Sequence, residues 1–338
     1  MNPAGRFERL EIESLEPAPD KVPTQFLRDA SRTVIARNES PDVGFDASIN
    51  PYRGCEHGCA YCYARPTHEY LGFSAGLDFE TRIMVKEDAA ELLERELAAP
   101  GWRPQVLGVS GVTDPYQPVE RRLGITRRCL EVLARCRSPV ALVTKNALVT
   151  RDADLLAELA RHDAVVVWIS LTTLDVELAR RLEPRCSAPP ARLEAMSRLA
   201  ERGIPVGALV APVIPALNDH EIPDLLAAAA AAGAAHCRYV MLRLPGAVAG
   251  IFTAWLEEHV PDRKEKILSR IRDLRGGRLN DTRFGTRGRG EGVFAGQIRD
   301  LFLTAARRSG LETGDPELST ASFRRPAGDQ LDLFADEG

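Results

Sequence analysis

Three cysteines crowd into eight residues of the stretch Asn50-Pro-Tyr-Arg-Gly-Cys55-Glu-His-Gly-Cys59-Ala-Tyr-Cys62-Tyr63. Their spacing is C-x3-C-x2-C, and a short apolar run precedes them, which predicts a loop that follows a β-strand. Thiolates are soft ligands that suit iron–sulfur clusters, and three of them leave one iron of a cubane open to a small molecule. We therefore predict that Cys55, Cys59 and Cys62 hold a 4Fe–4S cluster.

The residues between these cysteines support the cluster but leave a second interpretation open. Glycines at positions 54 and 58 let a backbone wrap closely around an inorganic core. The alternative is a zinc ion whose fourth ligand is His57 or His68. The cysteine spacing and the aromatic residue Tyr61 both favour the cluster.

The whole chain has the composition of a globular protein. It contains 338 residues, of which 44% are hydrophobic and 27% charged. Seven cysteines, three of them clustered, argue against a disulfide framework and for a metal or redox site. A net charge of −4 gives no global sign of nucleic-acid binding, so any such surface must be local. No apolar run reaches the roughly 20 residues of a membrane span, and no signal-peptide core is present, so a cytoplasmic protein without membrane contact is expected.

Short β-branched runs alternate with amphipathic helical stretches from Ala47 onward, which predicts βα units and a parallel sheet. The predicted strands are Ala47–Asn50, Val106–Ser110, Val140–Thr144, Val165–Ser170, Val206–Val210 and Tyr239–Leu244. The predicted helices are Glu87–Ala98, Gly124–Arg135, Ala153–Arg161, Asp175–Arg181, Ala191–Arg202 and Ile222–Ala232. Six units predict an α/β fold, a partial (βα)6 TIM-like barrel, with its chemistry at the carboxyl ends of the strands.

Composition divides the chain into four segments. We predict an N-terminal extension over residues 1–40, a core domain over 41–250 and a helical C-terminal segment over 251–312. Residues 313–338 are polar, with Gly, Pro, Ser and acidic residues, and predict a disordered tail.

The motif C-x3-C-x-aromatic-C, with Tyr61 in the aromatic position, resembles the signature of the radical S-adenosylmethionine superfamily. A closer resemblance, to the branch related to spore photoproduct lyase, rests on three matching pieces of sequence. These are Asn50-Pro-Tyr-Arg-Gly-Cys55, Thr113-Asp-Pro-Tyr-Gln-Pro-Val-Glu120 and Thr144-Lys-Asn146. The resemblance covers about residues 45–250. It implies a 4Fe–4S cluster whose open iron chelates S-adenosylmethionine, an electron donor of flavodoxin or ferredoxin type, and a 5′-deoxyadenosyl radical that abstracts hydrogen from the substrate.

The resemblance also implies which residues bind S-adenosylmethionine. Lys145 ends the third predicted strand and would bind its carboxylate, and Tyr61 would pack near its adenine. Ser170 ends the fourth strand and either hydrogen-bonds the ribose or methionine portion or caps a helix.

The lyase family carries a hydrogen-donating cysteine at the position that Gly111 occupies here, which puts identical activity in doubt. Cys186, in the loop Glu183-Pro-Arg-Cys-Ser, is our candidate catalytic thiol. Tyr63 matches a tyrosine beside the family's active site and is the second candidate, with a place in the core as the alternative. Arg192 is interpreted as a salt-bridged or solvated side chain.

Two features favour a nucleic-acid substrate. Arg270–Arg289 contains seven arginines interleaved with glycines, which either follow a phosphate backbone or are simply solvated. The end of the chain resembles the pentapeptide by which bacterial repair and replication proteins bind the DNA sliding clamp, with docking on the protein's own core as the alternative. Its five positions are Gln330, Leu331, Asp332, Leu333 and Phe334.

Three functions therefore stand open. The first is a radical enzyme acting on nucleic acid, either in repair or in modification, like the photoproduct lyase. The second is a radical enzyme acting on a peptide or small molecule, and the third is a non-catalytic module that binds a cluster or zinc.

Overall fold

The computed structural model describes residues 3, 6–7, 22–109 and 111–326. The strands within this part are β1 Gln25–Arg28, β2 Ile35–Arg37, β3 Ala47–Ile49, β4 Tyr52–Arg53, β5 Arg82–Val85, β6 Leu107–Val109, β7 Val140–Thr144, β8 Val165–Ser170, β9 Val206–Val213, β10 His236–Met241 and β11 Glu312–Thr313. The α-helices are α1 Asp78–Thr81, α2 Ala89–Ala98, α3 Glu120–Leu123, α4 Ile125–Cys136, α5 Ala153–Ala160, α6 Val176–Leu182, α7 Pro189–Ala200, α8 Ile222–Ala231, α9 Val248–His259, α10 Lys264–Asp273 and α11 Gly292–Arg308.

The main sheet has the order β11-β10-β9-β8-β7-β6-β3-β2. Its strands β3, β6, β7, β8, β9 and β10 are mutually parallel, which confirms the prediction of six βα units in a partial barrel. All six residues of β8 are buried, as expected for a parallel strand that is covered on both faces. The carboxyl ends of these strands meet on one side of the barrel, which we call the mouth.

The N-terminal extension is built into both sheets of the described chain. Strand β2 pairs antiparallel with β3 at the edge of the main sheet. Strand β1 pairs with β5, which also pairs with β4, in a three-stranded sheet beside the loop that carries the cysteines. This small sheet fixes the start of that loop, since β4 ends at Arg53.

The predicted disorder from residue 313 onward is wrong for residues 313–326. We call residues 314–326 the C-terminal strap, because they cross the loops that precede successive barrel strands. The amides of Ser319 and Arg324 donate to the carbonyls of Asp163 and Cys136, before β8 and β7 respectively. Polar composition misled the prediction, because the strap is held by loop carbonyls far away in sequence. The clamp-like pentapeptide lies outside the described residues.

The C-terminal part of the chain forms α9, α10 and α11, and α11 packs against α8 on the outside of the barrel. Cys129, Cys136 and Cys237 are buried core residues, as expected for small apolar side chains. Within the described ranges, no helix combines the length and the apolar character that crossing a membrane requires.

Candidate active site

The three clustered cysteines lie in the loop after β4, at the mouth. Cys55 and Cys59 are buried and Cys62 is half-buried. The loop is held by the Cys55 amide, which donates to the Phe79 carbonyl at 2.9 Å, and by the Cys62 amide, which donates to the Cys59 carbonyl at 3.3 Å. Burial, and then the charge of the neighbouring Cys59, raise the pKa of the Cys62 thiol to about 12. Thiolates placed so close together need a cationic partner, and this donor set fits an iron–sulfur cluster.

Two glycines give the loop its path. Gly54 and Gly58 have φ values of +82° and +67°, a region that favours glycine. A Cβ at position 54 would lie 2.8 Å from His68 Cε1 and 2.9 Å from the Phe79 carbonyl oxygen. A Cβ at position 58 would collide with the ends of Arg185 and Glu80. At position 54 the contacts with backbone and a buried ring require glycine, whereas at position 58 the positive φ is what favours glycine.

His57 holds the cysteine loop against the strand ends. It is 1% exposed, its Nδ1 lies 3.4 Å from Asp114 Oδ2, and its Nε2 lies 3.4 Å from Asn146 Nδ2. Although burial opposes protonation, the charges of Cys55 and Asp114 raise the pKa of His57 well above its ordinary value. A cationic imidazole beside Cys55 suits a loop that carries thiolate ligands.

Asp114 fastens the ends of the second and third parallel strands to each other. Besides facing His57, its carboxylate accepts hydrogen bonds from Thr144 Oγ1 and from the Lys145 amide, each at 2.8 Å. Asp114 also stabilises the turn that follows it, since its Oδ1 accepts a hydrogen bond from the Tyr116 amide at 2.8 Å.

The zinc alternative finds no support in these contacts. His57 already faces Asp114 and Asn146, and His68 Nε2 lies 2.8 Å from the Arg82 carbonyl oxygen. Over the described ranges, no three or more His, Cys, Asp and Glu side chains converge where a single metal ion would bind. A cubane is larger than one ion and needs ligands that are farther apart.

Two of the three residues predicted to bind S-adenosylmethionine, Lys145 and Tyr61, lie close together at the mouth. Lys145 directly follows β7, and its Nζ lies 5.9 Å from the centroid of the Tyr61 ring. The ammonium donates to the Ala211 carbonyl at 3.3 Å and lies 3.9 Å from Glu183 Oε1. Because 3.9 Å is too long for a hydrogen bond, Lys145 keeps donor capacity for a further anion.

Glu183, which the sequence did not single out, joins the elements around the mouth. Its buried carboxylate accepts hydrogen bonds from the Tyr61 hydroxyl and from Thr172 Oγ1, the latter at 2.6 Å. Burial would raise its pKa, but the charges of Arg192 and Lys145, with these hydrogen bonds, lower the pKa of Glu183 to about 2. Glu183 therefore carries a full negative charge inside the protein.

Arg192 is the main partner of that charge. The prediction of a salt bridge is confirmed, because its Nη2 is ion-paired with Glu183 Oε2, but the pair is buried rather than solvated. Arg192 also donates to the carbonyls of Ser187 at 2.7 Å and Ser170 at 3.0 Å. Ser170, the last residue of β8, is 2% exposed and is thus tied to this network through its backbone.

The two candidate catalytic residues occupy different places. Cys186 Sγ lies 3.8 Å from Cys59 Sγ and borders a cavity of about 370 Å³. The hydrogen bond between the two thiols lowers the pKa of Cys59 against the effect of burial. The cavity is also lined by Pro118, Arg121, Asn146, Leu148, Arg185 and Ser187.

Tyr63 is 49% exposed, and its hydroxyl donates to the Gly111 carbonyl at 2.8 Å. It therefore touches the position at which the lyase family carries its hydrogen-donating cysteine. The alternative of a core tyrosine is wrong, because half of the side chain faces solvent.

Comparison with known proteins agrees with this geometry. The family model of the Radical SAM superfamily matches residues 49–229. The uncharacterized protein Rv2578c of Mycobacterium tuberculosis is 38% identical over 244 residues, 71% of this chain and 71% of that protein. The uncharacterized protein MJ0683 of Methanocaldococcus jannaschii is 29% identical over 176 residues, 51% of this chain and 62% of that protein.

Among solved structures, spore photoproduct lyase complexed with dinucleoside spore photoproduct matches with a TM-score of 0.62 and 16% identity. The match covers 85% of this chain and 81% of the lyase chain. At this identity the likeness is one of fold.

Proposed function

Because the chain belongs to the radical S-adenosylmethionine superfamily, we propose that it is an enzyme in which Cys55, Cys59 and Cys62 hold a 4Fe–4S cluster. The observation that carries this proposal is the convergence of the cysteine loop and Lys145 at one end of the barrel. Together the bound cluster and S-adenosylmethionine supply a 5′-deoxyadenosyl radical for hydrogen abstraction. The superfamily also requires a one-electron donor, for which we propose a carrier of flavodoxin or ferredoxin type.

The protein's own residues bind and orient the cofactor. Lys145 offers its free donors to the carboxylate of S-adenosylmethionine, and the Tyr61 ring provides an apolar wall beside it. Glu183 fixes the Tyr61 hydroxyl, so that the ring is already oriented before the cofactor binds. Ser170, at the carboxyl end of β8, is the third residue proposed to contact the cofactor, at its ribose or methionine portion. We propose that Cys186 or Tyr63 donates a hydrogen atom to the product radical, and that the one-electron donor, with a proton, then reduces the thiyl or tyrosyl radical left on that residue.

The substrate that we propose is nucleic acid, in a repair or modification reaction. The proposal is supported by the fold shared with spore photoproduct lyase, whose structure holds a dinucleoside photoproduct, and by the matching motifs around Asp114 and Lys145. It is also supported by the terminal pentapeptide from Gln330 to Phe334, by which we propose that the protein binds the bacterial sliding clamp.

The cluster is tested by anaerobic reconstitution followed by iron and sulfide analysis and by electron paramagnetic resonance after reduction. Replacing Cys55, Cys59 or Cys62 by Ala should abolish the cluster, because each loss leaves an iron without a ligand. Cys129→Ala is the matched control, since this thiol is buried in α4 and should leave iron content unchanged. Stoichiometric zinc without iron would contradict the proposal.

The substrate is tested by incubating the reduced enzyme with S-adenosylmethionine and damaged DNA that is deuterated at the abstracted positions. Label in 5′-deoxyadenosine would support nucleic acid. If S-adenosylmethionine is cleaved reductively but no label appears with any DNA, the alternative of a peptide or small-molecule substrate takes its place.

The clamp is tested by titrating a peptide of residues 323–338 into purified clamp, where micromolar affinity is expected for so short a motif. The control peptide carries Leu333→Ala and Phe334→Ala. Equal binding by both peptides, or binding by neither, would contradict the proposed partner.

A further inference from the structure

Arg243 lies near the mouth, and within the described residues no carboxylate forms an ion pair with it. It lies two residues beyond β10, between the buried residues Leu242 and Leu244. Its Nε is buried and has no hydrogen-bond partner, and no carboxylate of the described chain forms an ion pair with it. Burial and the nearby charge of Arg287 lower the pKa of Arg243. A guanidinium held in this way is destabilised until an anion binds.

Two neighbouring arginines of the Arg270–Arg289 stretch, Arg287 and Arg275, already form hydrogen bonds or ion pairs within the protein. Arg287 is ion-paired with Asp42 and donates to Ser40. Arg275 donates to the carbonyls of Leu242 at 2.7 Å and Thr286 at 3.1 Å. These two side chains therefore hold the stretch against the end of β10 and are not available to follow a phosphate backbone. Among the described residues, Arg275 and Arg287 thus have hydrogen-bond or ion-pair partners, whereas Arg243 forms no ion pair with a carboxylate.

Exposed aromatic rings accompany Arg243. The guanidinium carbon of Arg243 lies 5.2 Å from the centroid of the Tyr63 ring, and that of Arg287 lies 4.5 Å from the centroid of Phe284. Tyr63 is 49% exposed and Phe284 is 57% exposed. Arginines interleaved with exposed aromatic faces are the usual surface for single-stranded nucleic acid, because bases stack on the rings while phosphates meet the guanidinium groups.

We infer that Arg243 binds a backbone phosphate of a single-stranded or extruded nucleotide, with Tyr63 as the stacking platform for the adjoining base. This inference rests on the proposed nucleic-acid substrate and names where that substrate is held. Tyr63 directly follows Cys62 and contacts Gly111, so a base stacked on its ring lies beside the cysteine loop. The planar donor fork of Arg243 fits a phosphate and a carboxylate alike, but the exposed Tyr63 ring beside it favours a nucleotide, which has a base to stack.

The test measures binding of a fluorescently labelled single-stranded oligothymidine to the full-length protein by anisotropy, from 50 to 300 mM salt. For the wild type, the logarithm of the association constant should fall linearly with the logarithm of salt concentration. Arg243→Gln should reduce the steepness of that line by about 0.7 to 1 and weaken binding roughly tenfold, because one phosphate contact is lost. Arg243→Lys should retain the slope.

Arg238→Gln is the matched control. Arg238 lies in β10, five residues before Arg243, but it is ion-paired with Asp315 at 2.6 Å, and its guanidinium carbon lies 5.8 Å from the centroid of the buried Trp168 ring. Its replacement removes the same formal charge and should leave the salt slope unchanged. Tyr63→Leu should weaken binding at every salt concentration without changing the slope, whereas Tyr63→Phe should bind like the wild type.

An unchanged slope in Arg243→Gln, with a wild type that binds the oligonucleotide, would overturn this inference and leave the proposed substrate standing. A wild type that binds no oligonucleotide would overturn both. Equal competition by polyglutamate at the same charge concentration would show that Arg243 attracts any polyanion, which also contradicts a phosphodiester site.

Discussion

Replacing Glu183 by Gln tests whether the buried ion pair with Arg192 stabilises the mouth. The carboxylate is 2% exposed and its pKa falls from an ordinary 4.5 to about 2. At about 1.4 kcal/mol for each tenfold change in proton affinity, this shift corresponds to about 3 kcal/mol of folding free energy. Removing one member of a buried pair leaves the other charge uncompensated, which independently predicts a loss of about 3–5 kcal/mol.

The sign of the pH dependence follows from the lowered pKa. The contribution of Glu183 is fully present above pH 4.5 and is lost as the pH falls toward 2, because the unfolded state then binds a proton that the folded state does not. The difference in stability between wild type and Glu183→Gln should therefore shrink between pH 6 and pH 3, to roughly half of its neutral value.

The assay is urea unfolding of the apoprotein, followed by circular dichroism at several pH values. Glu177→Gln in α6 is the control, because that carboxylate is exposed and its bond to Arg180 should contribute at most about 0.5 kcal/mol. The double variant Glu183→Gln/Arg192→Met should recover part of the loss, since it removes the unpaired charge. A loss below about 1 kcal/mol, constant from pH 6 to pH 3, would refute the reasoning.

Three further variants address the site. Lys145→Ala should weaken binding of S-adenosylmethionine by about 1.5–3 kcal/mol in calorimetry, the contribution of a charged hydrogen bond, and an unchanged dissociation constant would remove Lys145 from the site. Gly58→Ala should destabilise the apoprotein by about 1–2 kcal/mol and lower the iron content, because its φ of +67° disfavours a side chain; full iron loading would contradict the preference for glycine. Cys186→Ala should alter the product distribution, because the proposed hydrogen donor to the product radical is lost. An unaltered distribution with full yield would assign the hydrogen-donating role to Tyr63 instead.

The parts of the fold that the sequence revealed are those with strong local signals. Strands β7 and β8 begin and end where predicted, because each is a continuous apolar, β-branched run between helices of clear periodicity. Strands β1, β2 and β11 were missed, since each has only two to four residues and exists only by pairing with a distant partner.

The candidate site likewise has residues that a local motif reveals and residues that only the fold brings together. The cysteine spacing is local and visible in the sequence, whereas the contact between Tyr61 and Glu183 joins residues 122 positions apart. No periodicity or motif marks Glu183, although it precedes the proline and cysteine of a loop that the sequence did single out. Arg243 carries no motif either, because what distinguishes it is the absence of a partner in the described structure.

The C-terminal strap lies on the side of the barrel opposite the mouth. Its last residues are fixed where the Arg325 guanidinium donates to the carbonyls of Leu97, Ala99 and Trp102, in the connection that leads into β6 from the side opposite the mouth. The described chain therefore ends on the side opposite the mouth. The contacts that hold Arg325 lie away from the cysteine loop, so the strap and the candidate site occupy separate surfaces of the barrel.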